Sequence, residues 1–193
     1  MDQDDVKSYD VKEFLFKLIK KEFGYGYIPE YHQDIVNLES FYINPEKNAF
    51  ILAIDAINEE LVGTLGIRAY DKDFKDFEEK YNSNKTASFW RTFVSDKYRR
   101  KGLASALVNA GENFCHKQNF NEIYLHTHRT VPGSLQFWLS NGYKIIKDAQ
   151  NEMGTVHMEK TIDSYKNQLS EPIKQNTFKQ NNRLLVNSGA SIK

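Results

Sequence analysis

The stretch from Ala87 to His128 constrains the fold more than any other part of the chain. "ASFWRTFVS" (87–95) has the β-branched and aromatic content of a strand, and "EIYLHTH" (122–128) reads the same way. Between them, "GLASALVNAGENFCHKQ" (102–118) repeats its apolar residues Leu103, Leu107, Ala110 and Phe114 at helical spacing. Strand, helix and strand in direct succession make a right-handed crossover between parallel neighbours.

The flanks are antiparallel. Runs 49–56 and 60–69 are joined by the turn-like "INEE", and "YKIIKD" and "TVHMEKTI" read as closing strands after a short helix in "PGSLQFWLSN" (132–141). The fold expected is an α/β domain with a mixed, mostly antiparallel twisted sheet, a central parallel pair, and helices on both faces.

Two helices precede the sheet. "DVKEFLFKLIKKEF" places Val11, Phe14, Leu15, Leu18 and Ile19 on one stripe and ends at Gly24, and a second helix begins at Pro29 in "PEYHQDIVNLESFY". Helical sequence begins by about residue 10, so "DVKSY" is all that is left for a leading strand. Residues 71–86 are polar and read as a solvated loop rather than a lid. The globular domain is set at 1–162, followed by a polar extension, 163–193, with the composition of a partly disordered tail.

Lysine plus arginine number 26 and aspartate plus glutamate 26, so no global field points to nucleic acid or an anionic membrane. The longest apolar run, "AFILAI", is too short to span a bilayer, and the start is acidic, so a cytoplasmic protein is expected. Cys115 is the single cysteine, which excludes a disulfide framework and a multi-cysteine metal site; no metal is expected.

Against that neutral background, Lys97, Arg99, Arg100 and Lys101 crowd the start of the crossover helix. Cations at a helix N-terminus cost roughly 0.3–1 kcal/mol each. The arrangement makes sense if an anion sits there, bound by free backbone N–H groups, with the small residues Gly102 and Ala104 allowing close approach. Neither G-x-x-x-x-G-K-[ST] nor G-x-G-x-x-G is present, which disfavours nucleotide triphosphates and dinucleotides.

The pattern that does fit is R-x-x-G-x-A, from Arg99 to Ala104, between a strand ending in "FVS" and a helix. Together with "FWLSNGY" (137–143), "ELVGTLGIRAY" and the "HMEK" ending, it resembles the GNAT acetyltransferase superfamily across roughly residues 10–161. The resemblance implies acetyl-CoA as co-substrate, bound where the parallel strands splay apart. It implies that the backbone N–H groups of Arg100, Lys101, Gly102, Leu103 and Ala104 hold the pyrophosphate, with Arg99 and Arg100 adding charge. Phe93 and Val94 would offer main-chain groups to the pantetheine arm, and the Val94 N–H an oxyanion donor. The acceptor implied is a primary amine of a small molecule or peptide, with no nucleic-acid or membrane partner; a homodimer stays open.

Aligned on "FWLSNGY", the tyrosine that commonly protonates the departing thiolate is Trp138, and an indole N–H does not serve as an acid. A non-catalytic CoA-binding module of the same fold is therefore the alternative. Amine attack needs a base. His126 and His128 share one face of their strand and are the first candidates; the competing reading is of ordinary hydrogen-bonded histidines. Glu30, with His32 and Asp34, forms a second set on the helix that usually covers the acceptor, and His157 reads as structural.

Overall fold

The computed structural model describes residues 1–71, 74–162 and 183–186. Among them are helices α1 (Gln3–Ser8), α2 (Val11–Phe23), α3 (Pro29–Val36), α4 (Leu103–Lys117) and α5 (Ser134–Ser140). The strands are β1 (Ala49–Asp55), β2 (Glu60–Ala69), β3 (Thr86–Val94), β4 (Glu122–His128), β5 (Lys144–Asp148), β6 (Thr155–Thr161) and β7 (Arg183–Val186). They form one sheet in the order β5-β6-β4-β3-β2-β1-β7. The expected crossover is present: β3 and β4 pair in parallel with α4 between them. β1/β2, β2/β3, β4/β6 and β5/β6 are antiparallel.

Alternation along β1 shows how both faces are covered. Ala49, Ile51 and Ala53 pack with Leu107 and Val108 of α4 and Trp138 of α5. Phe50, Leu52 and Ile54 face Val11, Leu15 and Ile19 of α2 and Ile35 of α3. Each such buried aliphatic side chain contributes about 1.5–3 kcal/mol. α4 lies so close to the sheet that a Cβ on Gly111 would meet Leu65 Cδ2 at 2.5 Å and Phe89 Cζ at 2.8 Å.

Local signals set the helix ends. The Asp10 carboxylate accepts the Glu13 N–H at 3.2 Å to start α2, and Gly24, at φ +77°, ends it. Pro29 opens α3, where its missing N–H costs nothing.

Three segments add to or depart from the sequence reading. "DVKSY" is no strand: it lies in and just after α1, because Asp2 and Asp5 form a reciprocal capping box, each carboxylate accepting the other's backbone N–H at 3.0 Å. The sheet edge beside β1 is taken by β7 from the polar extension, with Arg183–Val186 in parallel register against Leu52–Asp55. The rest of that extension, 163–182 and 187–193, lies outside the described residues. The excursion after β2 is not simply solvated either. Phe77 and Tyr81 are buried and pack with Tyr70 and Tyr124, so aromatics four residues apart anchor an otherwise polar loop onto β4.

Candidate active site

β3 and β4 are paired only from Thr86–Ser88 to Glu122–Tyr124, although β3 continues to Val94 and β4 to His128. Beyond those pairs the strands part around a cleft of about 1260 Å³, which reaches from α4 and α5 to α2 and α3. A bulge in β3 shapes one wall. The β2/β3 register slips between Thr64 and Gly66, and Arg91 takes φ +47°, with its carbonyl accepting from Thr64 Oγ1 at 2.8 Å.

At one end of the cleft stands the N-terminus of α4. Gly102 precedes it at φ +82° with no side-chain cap, and the first N–H of the helical ladder is that of Ala106, donated to the Gly102 carbonyl at 3.0 Å. The donors before it are left to a ligand or water. Gly102, Leu103, Ala104 and Ser105 line the cleft, as do Phe93 and Val94. The Ser95 N–H donates to the Val62 carbonyl at 2.9 Å, so the Val94 N–H, one residue back, points away from β2 and toward the splay.

The four cations of this turn have separate fates. Lys97 pairs with Glu60 at 2.6 Å, and Lys101 rests its ammonium 5.5 Å from the Tyr98 ring. Arg99 donates from Nε to the Val94 carbonyl at 3.0 Å and pairs through Nη2 with Glu22 of α2. Arg100, held at φ +61°, lines the cleft with no ion pair among the described residues.

The other end gathers the predicted base candidates. His126 and His128 line the cleft from β4, their rings 5.8 Å apart. Thr155 Oγ1 lies 3.3 Å from His128 Nδ1, and burial lowers the pKa of this imidazole. Glu30 lines the same cleft from α3 with an exposed side chain. Its two companions are committed elsewhere. The Ile28 N–H donates to His32 Nδ1 at 2.9 Å, and Asp34 accepts from Arg91 Nε at 3.0 Å, Arg91 Nη2 at 2.7 Å and the Tyr42 hydroxyl at 2.6 Å.

Two cleft residues escaped the sequence reading, and a third, His157, was read as structural. Arg91 was hidden because its position depends on the bulge. Arg68 looked like an ordinary strand residue, yet its guanidinium stacks on Phe41 and Trp90 at 4.6 and 4.5 Å. His157 pairs in register with His126 and also lines the cleft, its Nδ1 2.6 Å from the Tyr124 hydroxyl; strand alternation in "TVHMEK" held that signal. Trp138 is buried against Tyr143 and Phe89, with centroids at 5.0 and 6.4 Å, and serves as core as well as cleft wall.

Comparison with known proteins agrees with this geometry. The sequence profile described as Acetyltransferase (GNAT) family matches residues 12–143. N-acetylaspartate synthetase of Rattus norvegicus is 24% identical over 113 residues, which are 58% of this chain and 33% of that protein, and the Homo sapiens synthetase matches to the same extent. The chain thus spans about a third of the length of these relatives. A GNAT-family acetyltransferase from Staphylococcus aureus Mu50 superposes with a TM-score of 0.65 at 23% identity, covering 80% of this chain and 92% of that one. An aminoglycoside 6′-N-acetyltransferase solved with coenzyme A gives 0.57 at 19% identity, covering 79% and 91%. At these identities the structural likeness is one of fold. Among the described residues no helix is long and apolar enough to cross a membrane.

Proposed function

The chain belongs to the GNAT acetyltransferase family, and from that premise we propose that it moves the acetyl group of acetyl-CoA to a primary amine of a small molecule or peptide, by direct attack in a ternary complex. The observation that carries this reading is the parting of β3 and β4 beside an uncapped, basic α4 N-terminus. A pyrophosphate there meets the backbone N–H groups of Arg100, Lys101, Gly102, Leu103 and Ala104, and the helix dipole favours its charge. Arg100 supplies a cation that no carboxylate among the described residues holds, and Arg99 a second one once it leaves Glu22 and Asp96.

The acetyl-CoA arm runs along Phe93 and Val94, and the outward Val94 N–H is aimed where the thioester oxygen gains charge during attack. An alkylammonium must lose a proton before its nitrogen can attack. His126 takes that proton, with His128, whose burial favours the neutral imidazole, and Glu30 as further acceptors along the cleft. The C–N bond forms at the thioester carbon and the C–S bond then breaks; the nitrogen gives its second proton to solvent, and the CoA thiolate takes one from solvent, since the Trp138 indole N–H does not serve as an acid. The buried Trp138 is the one observation that favours a non-catalytic CoA-binding module instead.

Calorimetric titration with acetyl-CoA and a CoA-release assay over an amine panel separate these readings. Binding that weakens in Arg100→Gln, with CoA release on adding an amine, is expected. A protein that does not bind acetyl-CoA overturns both readings, and binding without release for any amine favours the module. His126→Ala should bind acetyl-CoA normally and lose about 10²- to 10⁴-fold in turnover near pH 7.

A further inference from the structure

Arg68 is the deepest cation of the cleft, 9% exposed, on the same side as α3 and the aromatic loop after β2. Everything around it fixes its plane. Its guanidinium stacks on Trp90 and Phe41, the Trp90 indole N–H donates to Ser88 Oγ at 2.8 Å, and Ser88 Oγ donates to the Arg68 carbonyl at 3.3 Å. Stacking occupies the flat faces of a guanidinium and leaves its N–H edge to define a planar binding fork.

That fork is half used. Nη2 meets Asp71, a carboxylate that is 39% exposed, while among the described residues the buried Nε has no hydrogen-bond partner. An unmet donor on a buried charged group carries its desolvation penalty uncompensated. The other guanidinium on this side, Arg91, has its Nε and Nη2 edge engaged by Asp34 and by the Tyr31 carbonyl at 2.5 Å. Trp90, which touches Arg68, also lies against His126, with ring centroids 6.3 Å apart. One indole therefore joins the half-used fork to the base candidate.

We propose that Arg68 anchors a carboxylate of the acceptor, and that the acceptor is a small primary amine that carries a carboxylate. This rests on the acetyltransferase reading above. The carboxylate displaces Asp71 toward solvent and takes the fork, and the amine is left across Trp90, beside His126. Asp71 thus holds the place on the fork that the ligand's carboxylate takes.

The test uses matched probes: β-alanine, 4-aminobutyrate and L-aspartate, each against the corresponding carboxamide. Binding is measured by calorimetry on the full chain saturated with CoA, and turnover by CoA release from acetyl-CoA. Carboxylates should bind at least about tenfold more tightly than their amides, as a charge-assisted fork implies. Arg68→Gln should remove that preference, read as a rise of at least about tenfold in Kd and KM for the carboxylates alone, and keep acetyl-CoA affinity. Arg68→Lys should restore part of it. In the otherwise unaltered chain, Asp71→Asn should tighten the carboxylates severalfold, a readout that survives if Arg68 variants fold poorly. Equal binding of acids and amides, or no change in Asp71→Asn, overturns the inference whatever the turnover. Arg68-dependent carboxylate binding without CoA release supports it while removing the acetyltransferase reading.

Discussion

Arg91 and Asp34, 57 residues apart, meet through two hydrogen bonds of 3.0 and 2.7 Å that tie the β3 bulge to α3 across the mouth of the cleft. Asp34 is nearly inaccessible, and Arg91 and the Tyr42 hydroxyl hold its carboxyl below the ordinary carboxylate range against the opposing effect of burial. Removing one member leaves the other as an uncompensated buried charge. Asp34→Asn should cost about 3–5 kcal/mol in urea unfolding, and Asp34→Asn with Arg91→Gln less than the sum of the two single changes.

Tyr42 reaches Asp34 because Gly66 has no side chain. A Cβ there would come within 2.8 Å of the Tyr42 ring. Gly66→Ala should cost about 1–3 kcal/mol by overpacking. It should also raise the KM for the amine more than the Kd for acetyl-CoA, because the displaced ring belongs to the α3 side. Thermal melting and steady-state kinetics measure the two effects.

Arg99, 3.4 Å from Asp96, also pairs with Glu22 of α2. If Arg99 turns to the pyrophosphate on binding, breaking that pair is part of the cost of binding acetyl-CoA. Glu22→Gln should therefore tighten acetyl-CoA about one-and-a-half- to fivefold, the range for a partly exposed ion pair. Titration of the parent and variant chains at two salt concentrations measures it, and the gain should shrink at the higher salt.

The crossover, its hairpins and the leading helices were legible because each element carried its own period, and because a glycine ended α2 at Gly24 and a proline began α3 at Pro29. What could not be read was anything that depends on two elements at once. The bulge at Arg91 arises from a one-residue slip against β2, and no local pattern announces it. Asp34 looked like a catalytic candidate until Arg91 and Tyr42 claimed it. Arg99 looked like a free cation because Glu22 lies far away in sequence. His126 and His128, by contrast, were found by simple alternation, since both sit on one strand.

His32 gives the fold a pH dependence. It is 1% exposed, and its Nδ1 must stay unprotonated to accept the Ile28 N–H. Burial, with help from the Arg91 charge, lowers its pKa below 6.5. Below about pH 6.5 the unfolded chain takes up a proton that the folded chain refuses, so stability falls as pH falls and is level above that value. Urea midpoints between pH 5 and 8 should show this slope, and His32→Gln should flatten it.

β7 adds a last consequence. All seven residues of β1 are buried, and Arg183–Val186 cover its outer hydrogen-bonding edge. Without those four residues, β1 would present open backbone groups on an apolar strand, which is a template for strand addition between molecules. The short tail strand therefore acts as a guard against self-association into aggregates, and shortening the chain ahead of Arg183 trades that protection away even though the cleft lies strands away on the far side of β2.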